Sequence, residues 1–386
     1  MTPSERLRHA ILGALALGLP LGCGGRTADD GSSSGGTAGS GGASSTGGQS
    51  SGGTGGKPVV SCSPGTKLEE CYTPEQAWSI ANNPPQGGDV VGNCPPAGLV
   101  QTTCCNPAQA SWEENGQCCY AFCEGACCGR PFTVDGVVQM PELVERADWL
   151  ERFDAAPSPS RSIADAWLRD ARMEHASIAS FARFTLELLA FGAPPELVAD
   201  AQAAMGDEVE HARVCFGLAV RFGATPRGPG ALSIGAFSPR SLEEAAVAAF
   251  REGGVAETIA ALSARRSLER ASDPLVKSAL ARIADDEERH AALAFRFLAF
   301  ALERGGPSVR SALERELAEL RTPRLDARAE PLDVSPEVFR AAGRASPEEL
   351  EEAAALAVRD VTAPCLTALL AGRPAELAVR GSAAAS

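Results

Sequence analysis

The sequence predicts a mainly α protein: a four-helix bundle with two Glu-x-x-His helices, preceded by a small N-terminal disulfide-rich domain. Three observations predict it. Long alanine- and leucine-rich stretches between residues 162 and 305 place apolar residues at the 3.6-residue period of helices packed on one face. Six carboxylate and imidazole side chains interrupt those apolar stripes at corresponding levels. Ten of the 13 cysteines crowd between Cys62 and Cys128, interleaved with Pro, Gly and Asn.

From the N-terminus, Arg6 and Arg8 precede the apolar run Ala10 to Leu21, which ends in Gly22-Cys23. The run is too short to span a bilayer and reads as a signal peptide over residues 1–23. Cys23 after a small residue resembles the lipid-modified cysteine of bacterial lipoproteins, although Pro20 stands where that pattern prefers leucine. Such a lipid would be the chain's only membrane attachment and would place it in the cell envelope, facing the periplasm or outside. No twin arginine occurs, so general secretion as an unfolded chain is expected. Residues 24–57 are almost entirely Gly, Ser, Thr and Ala, which offer no apolar face to repay ordering, and read as a flexible linker.

Residues 58–140 form the cysteine-rich segment. In an exported chain that density reads as a disulfide framework, and the segment has neither a histidine nor a Cys-x-x-Cys pair to suggest a thiolate metal centre. If Cys23 carries lipid, an even number of cysteines remains, leaving open both a Cys215–Cys365 bridge and two buried thiols. Phe132 to Val138 places Asp135-Gly136 between β-branched runs, a hairpin signal. Residues 141–161 read as a partly helical connector, 162–305 as the bundle, and 306–386 as a helical extension (Pro307 to Leu320, Pro336 to Ala342, Pro347 to Val358) that pads it without a motif.

Within the bundle, Glu208 and His211 stand at i and i+3, as do Glu287 and His290, so each pair shares one helical face and can grip one metal ion. Histidine is scarce, only four in the chain, and two of them complete this pattern. Glu174 shares a stripe with Trp167, Ala171, Ile178, Phe181 and Leu188, and Glu257 one with Phe250, Ala261 and Leu268. Charged groups on core stripes are costly unless paired or metal-bound, and a pair of cations in a helical bundle needs such additional carboxylates. Turns at Gly192 to Pro195 and Ser272 to Pro274 fold the helices into hairpins whose arms bring the four contributions to one height. Asp207 and Asp286 each precede a metal-pattern glutamate; placed cross-wise, Asp207 would orient His290 and Asp286 would orient His211 through the imidazole N–H that faces away from the metal. His175, adjacent to Glu174, points about 100° away and is not counted among the ligands. Cys215 lies on the inward stripe one turn beyond His211 and reads as a small core residue.

The order Glu174, Glu208-x-x-His211, Glu257, Glu287-x-x-His290 resembles the ferritin-like di-iron carboxylate superfamily, which includes rubrerythrins, manganese catalases and ferritins. The phrases from Ala171 to Phe181 and from Asp286 to Phe295 also resemble a group of exported bacterial ferritin-like proteins, and the likeness spans roughly residues 160 to 305. It implies the bundle fold and a centre of two metal ions, iron or else manganese. The expected function is an oxidoreductase that activates dioxygen or peroxide, with an organic substrate or electron donor that the sequence does not identify; the alternative is a non-catalytic metal-binding or structural envelope lipoprotein. Both tyrosines lie outside the bundle, which argues against a tyrosyl-radical enzyme. With 49 acidic against 35 basic residues and a net charge of -14, no nucleic-acid partner is expected.

Overall fold

The computed structural model describes residues 1–17, 67–79, 94–95, 101–103, 106–107, 110–123, 132–134, 137–154, 159–320 and 332–372. Cys23, the 24–57 linker, Cys62, Cys104, Cys105, Cys127 and Cys128 lie outside those residues, as does the side chain of Cys123. The described chain is mainly α with a small N-terminal sheet.

Helix α1 (Pro3–Leu17) opens the chain, its first turn closed by reciprocal bonds between Thr2 and Glu5. It buries Leu7, Ile11, Leu12 and Leu15 against the C-terminal helices, and Arg8 donates to the Asp360 carbonyl at 3.3 Å. Of the run read as a leader, the described part to Leu17 is a helix packed against the body of the chain.

Strand β1 (Lys67–Tyr72), the short helix α2 (Pro74–Ser79), strands β2 (Gln101–Thr103) and β3 (Asn106–Pro107), β4 (Ala110–Glu114) and β5 (Gln117–Cys123) follow. β1, β5 and β4 form an antiparallel sheet with β5 in the middle. Asn115 and Gly116, with φ of 53° and 75°, make the tight turn between β4 and β5, an Asn-Gly signal that the reading of this segment passed over. Disulfides Cys71–Cys119 and Cys94–Cys118 staple the sheet, and they point to an oxidising, exported environment. The Asp-Gly segment pairs as expected, β6 (Thr133–Val134) against β7 (Val137–Val138).

The connector departs from expectation. Before α3 begins at Arg161 its described residues contain no helix; instead β8 (Leu143–Val144) pairs with β9 (Gly228–Pro229), and Trp149, Leu150 and Phe153 pack against an apolar cluster of the helices. The apolar residues that suggested a helix are anchors for an extended strap.

Helices α3 (Arg161–Ala190) and α4 (Pro195–Arg221) form the first hairpin. Ser160 caps α3, Gly192 takes a left-handed φ of 65° in the turn, and Pro195 starts α4 where its missing N–H costs nothing. The second hairpin joins α5 (Leu242–Ala248), a π-helical turn (Ala249–Glu257) and α6 (Thr258–Arg270) to α7 (Pro274–Glu319), with Asp273 accepting from Leu275 N at its cap. At Gly306 (φ 57°, ψ −133°), followed by Pro307, α7 leaves helical geometry, so the stretch is two helices meeting at a kink, where the sequence reading divides the bundle from its extension. The extension continues through α8 (Pro336–Ala341), α9 (Pro347–Leu356), a second π-helical turn (Ala357–Thr362) and α10 (Ala363–Leu370). The run Pro347–Leu370 is long and apolar enough to cross a membrane, but 56% of its apolar window is buried inside the molecule, as in a core helix.

Two apolar clusters result. One gathers Phe181, Phe184, Phe250, Phe295 and Phe297 with α1 and α10; the other gathers Trp167, Phe216, Leu218, Val276 and Leu280 with the strap. Cys365 belongs to the first and Cys215 to the second, both as free thiols, so the Cys215–Cys365 bridge does not form.

Gly217 is where the strap crosses α4: Glu151 N bonds the Arg213 carbonyl at 3.0 Å, and a Cβ at 217 would overlap the Glu151 carbonyl and approach the Phe153 ring to 2.9 Å. Gly217→Ala should therefore destabilise the fold by about 1–3 kcal/mol. A thermal unfolding midpoint equal to that of the parent chain would contradict this packing.

Candidate metal centre

Glu174, Glu208, His211, Glu287 and His290 occupy the waist between the two apolar clusters. On α3 the residues before Glu174 feed one cluster and those after Phe181 the other; α4 switches clusters across Glu208 and His211, and α7 across Glu287 and His290. Glu257 enters from the end of the π-helical turn. The structure brings these six sequence-selected residues together in two overlapping sets: Glu174, Glu208, His211 and Glu287, and Glu208, Glu257, Glu287 and His290. Within each set one donor atom per residue lies within 4.8 Å of the others, and either set could hold a metal ion. Glu208 and Glu287 are common to both, so they occupy the shared positions, and Glu174 and Glu257 the two ends.

Both imidazoles turn Nδ1 inward. His211 Nδ1 lies 3.6 Å from Glu174 Oε2, 3.9 Å from Glu208 Oε2 and 3.6 Å from Glu287 Oε1. His290 Nδ1 lies 3.2 Å from Glu208 Oε1 and 3.5 Å from Glu287 Oε2. Donors bound about 2 Å from one ion stand about 3 Å apart, so these spacings need only a small contraction. The inward atoms are also unsatisfied: both Nδ1 atoms, Glu208 Oε2, Glu287 Oε2 and both oxygens of Glu257 are buried without a hydrogen-bond partner. Buried polar atoms are almost always paired, and six orphans on one small space are what a cation's donor set looks like. The residues present therefore fit a pair of divalent cations, and oxygen and imidazole donors suit iron or manganese.

The outward nitrogens are held cross-wise. His211 Nε2 lies 2.8 Å from Asp286 Oδ2, and His290 Nε2 lies 3.2 Å from Asp207 Oδ2. A donated Nε2–H at each aspartate leaves the Nδ1 lone pair for the centre. Arg289, absent from the sequence reading, bridges the two aspartates, donating to Asp286 Oδ1 at 2.6 Å and Asp207 Oδ2 at 2.9 Å. Its spacing of three residues from Asp286 is visible in the sequence, but its reach across to α4 is not. Phe181 closes the site edge-on to His290, with ring centroids 5.0 Å apart.

His175 joins neither set; its ring packs edge-on to Trp149 at 5.0 Å, and burial with the nearby Arg146 charge lowers its pKa. Cys215 lies buried beside the carboxylates, and desolvation together with their charge raises its pKa, so it stays a thiol. A third grouping, Cys71, Glu114 and Cys119, is accounted for by the disulfide between its two sulfurs.

Without a cation the cluster shares protons. Burial, with neighbouring carboxylates, raises Glu208 and Glu257 well above the ordinary range. Burial alone would also raise Glu287 and lower His290, but the attraction between the two across 3.5 Å, with Asp207 on the far side of the ring, reverses both: Glu287 falls to about 2 and His290 rises to about 10. No family model, curated protein or solved structure matches the chain, so the reading of this site rests on its geometry.

These shifts fix a pH dependence. His290, raised from 6.5 to about 10, stabilises the metal-free fold fully below pH 6.5 and loses that contribution as pH rises through 10. Glu208 and Glu257, raised by burial, act in the same sense, whereas Glu287, lowered from 4.5 to about 2, loses its contribution only as pH falls toward 2. The metal-free protein should accordingly show a falling thermal midpoint between about pH 6.5 and 10, with added Mn(II) stabilising it more at the alkaline end, where fewer protons need be displaced. A midpoint that climbs over this interval would mean the waist is not proton-loaded.

Proposed function

We propose that this chain is an exported ferritin-like protein with a four-helix bundle holding a di-metal carboxylate centre, and that it is an oxidoreductase acting on dioxygen or peroxide. The observation that carries the reading is the set of inward-facing, unsatisfied donors contributed by four helical arms, backed by aspartates on the outward nitrogens. Glu208 and Glu287, common to both donor sets, would help to hold both ions, with Glu174 and His211 in one set and Glu257 and His290 in the other. Two redox-active cations there would supply electron-transfer chemistry toward a small oxidant.

The residues define what that chemistry would meet. Glu174 keeps 17% of its side chain exposed, while the other five donors are 0–2% exposed. A reactant the size of dioxygen or peroxide would thus arrive at the Glu174 edge, and the apolar clusters above and below exclude bulk water. The Asp286–His211 and Asp207–His290 pairs, tied by Arg289, fix ring tautomer and direction. The same deep burial favours a second reading, a metal-binding envelope protein without turnover.

One experiment separates these. The purified chain, reconstituted anaerobically with Fe(II) or Mn(II), should hold two equivalents and then consume hydrogen peroxide or dioxygen catalytically. Two equivalents without turnover would select the non-catalytic reading, and no bound metal would end both. His290→Ala should lower metal affinity about 10- to 100-fold or more, whereas His175→Ala should leave it within about twofold; equal losses would overturn the ligand assignment.

Export also predicts a processed N-terminus. We expect chain recovered from the cell envelope to begin at Cys23 with a mass increment for acyl groups. Recovery of an intact Met1 terminus would instead retain α1 in its place beside α7 and α10.

A further inference from the structure

Glu257 is the interior ligand candidate whose side chain meets only its fellow candidates, chiefly the Glu287 carboxylate, with no outer group to aim it. The two imidazoles are held by aspartates, and Glu208 and Glu287 face His290, but both Glu257 oxygens are buried and unpartnered. What holds its direction from outside the donor set is its backbone. That backbone is the last residue of the Ala249–Glu257 π-helical turn, in which each ring of the helix takes one more residue than in an α-helix. One inserted residue turns everything after it by about 100° relative to an uninterrupted α-helix. The aim of the Glu257 carboxylate is therefore set by where this turn sits and how firmly it is held.

Gly253 and Gly254 lower the cost of leaving α-helical geometry. Gly254 also lacks room for a side chain: a Cβ there would stand 3.2 Å from the Phe250 ring and 3.6 Å from the Phe295 ring. Its carbonyl accepts two side-chain hydroxyls, Thr258 Oγ1 at 2.8 Å and Thr362 Oγ1 at 3.2 Å. Both threonines are wholly buried. Thr258 is local, whereas Thr362 comes from the end of the second π-helical turn, 108 residues away in sequence. A buried hydroxyl has to find an acceptor, and here the acceptor is the carbonyl that registers the turn carrying Glu257.

We infer that Thr362, with Thr258, is a positioning residue for the metal ion bound by Glu208, Glu257, Glu287 and His290: the two hydroxyls lock the π-helical turn so that Glu257 faces that ion. This rests on the di-metal reading above. It gives the C-terminal extension, which the sequence marks only as padding, a direct part in building the centre. Loss of the Thr362 hydroxyl frees the turn and leaves the Glu174 end of the site, which Thr362 does not touch, in place.

The test compares Thr362→Val, which keeps the shape and deletes the hydroxyl, with Thr362→Ser, which keeps the hydroxyl, by anaerobic Fe(II) titration calorimetry of the full chain. The parent chain should bind two equivalents. Thr362→Val should bind one equivalent as the parent does and the second about 10- to 100-fold more weakly, and Thr362→Ser should restore the second step. Two unaltered steps in Thr362→Val would overturn the inference while leaving the di-metal reading intact. Equal weakening of both steps, without rescue by serine, would also overturn it, since that marks a general structural role. Absence of metal from the parent chain would remove both. Should Thr362→Val not fold, Thr258→Val is subject to the same two-step criterion.

Discussion

The structure turns on four carboxylates and two imidazoles held at one level between two apolar clusters. At about 4 Å and an effective dielectric near 20, each pair of like charges repels by about 4 kcal/mol. Two imidazolium rings cannot neutralise four carboxylates, so protons or cations must supply the remainder. The rest of the fold is organised to tolerate this layer. Trp167, Phe216 and Leu280 pack on one side of it, and Phe181, Phe250 and Phe297 on the other. Burying such side chains stabilises by about 1.5–3 kcal/mol each, which sets the scale of what holds the layer shut.

Much of this was legible because it is periodic and local. Spacing alone put Glu208 with His211 and Glu287 with His290 on common faces, and the turns at Gly192 and Asp273 equalised the arms. The cross-wise pairing of Asp207 and Asp286 followed from each aspartate directly preceding a metal-pattern glutamate on a helix that neighbours the other histidine. What stayed hidden depends on contacts between distant segments. Arg289 looks like a surface residue until α4 brings Asp207 to it. The π-helical turn leaves no sequence mark beyond Gly253-Gly254, and nothing near Thr362 announces that it meets Gly254. An even cysteine count permitted a Cys215–Cys365 bridge, but a count carries no distances, and the two thiols lie in different apolar clusters.

The N-terminal run shows a different limit. A leader peptide and a core helix need the same thing, a short stretch of apolar side chains. Leu7, Ile11, Leu12 and Leu15 satisfy both: they read as a leader, and in the full chain they bury themselves against the C-terminal helices. Hydrophobic burial is non-directional, so an apolar helix left attached to a folded body occupies whatever apolar face is available. The polar contacts of α1, from Arg8 to the Asp360 carbonyl and within the Thr2–Glu5 box, are few beside that burial.

The two ends of the centre are built by different means, and the difference bears on what each can do. At the Glu174 end the carboxylate sits in the middle of a regular helix and keeps contact with solvent, which on the proposed reading would let it change its coordination as a reactant entered. At the Glu257 end the carboxylate is sealed, and its aim is fixed through the main chain by Gly254 and the hydroxyls beneath it. A rigid, buried position would hold an ion in one geometry; an exposed one on a regular helix would admit exchange of ligand or water. With Glu208 and Glu287 common to both, a change in charge at the open end is felt at the closed end through two carboxylates. On the proposed di-metal reading, that arrangement would let one ion meet the oxidant while the other kept its geometry, which two equivalent, equally exposed positions would not do.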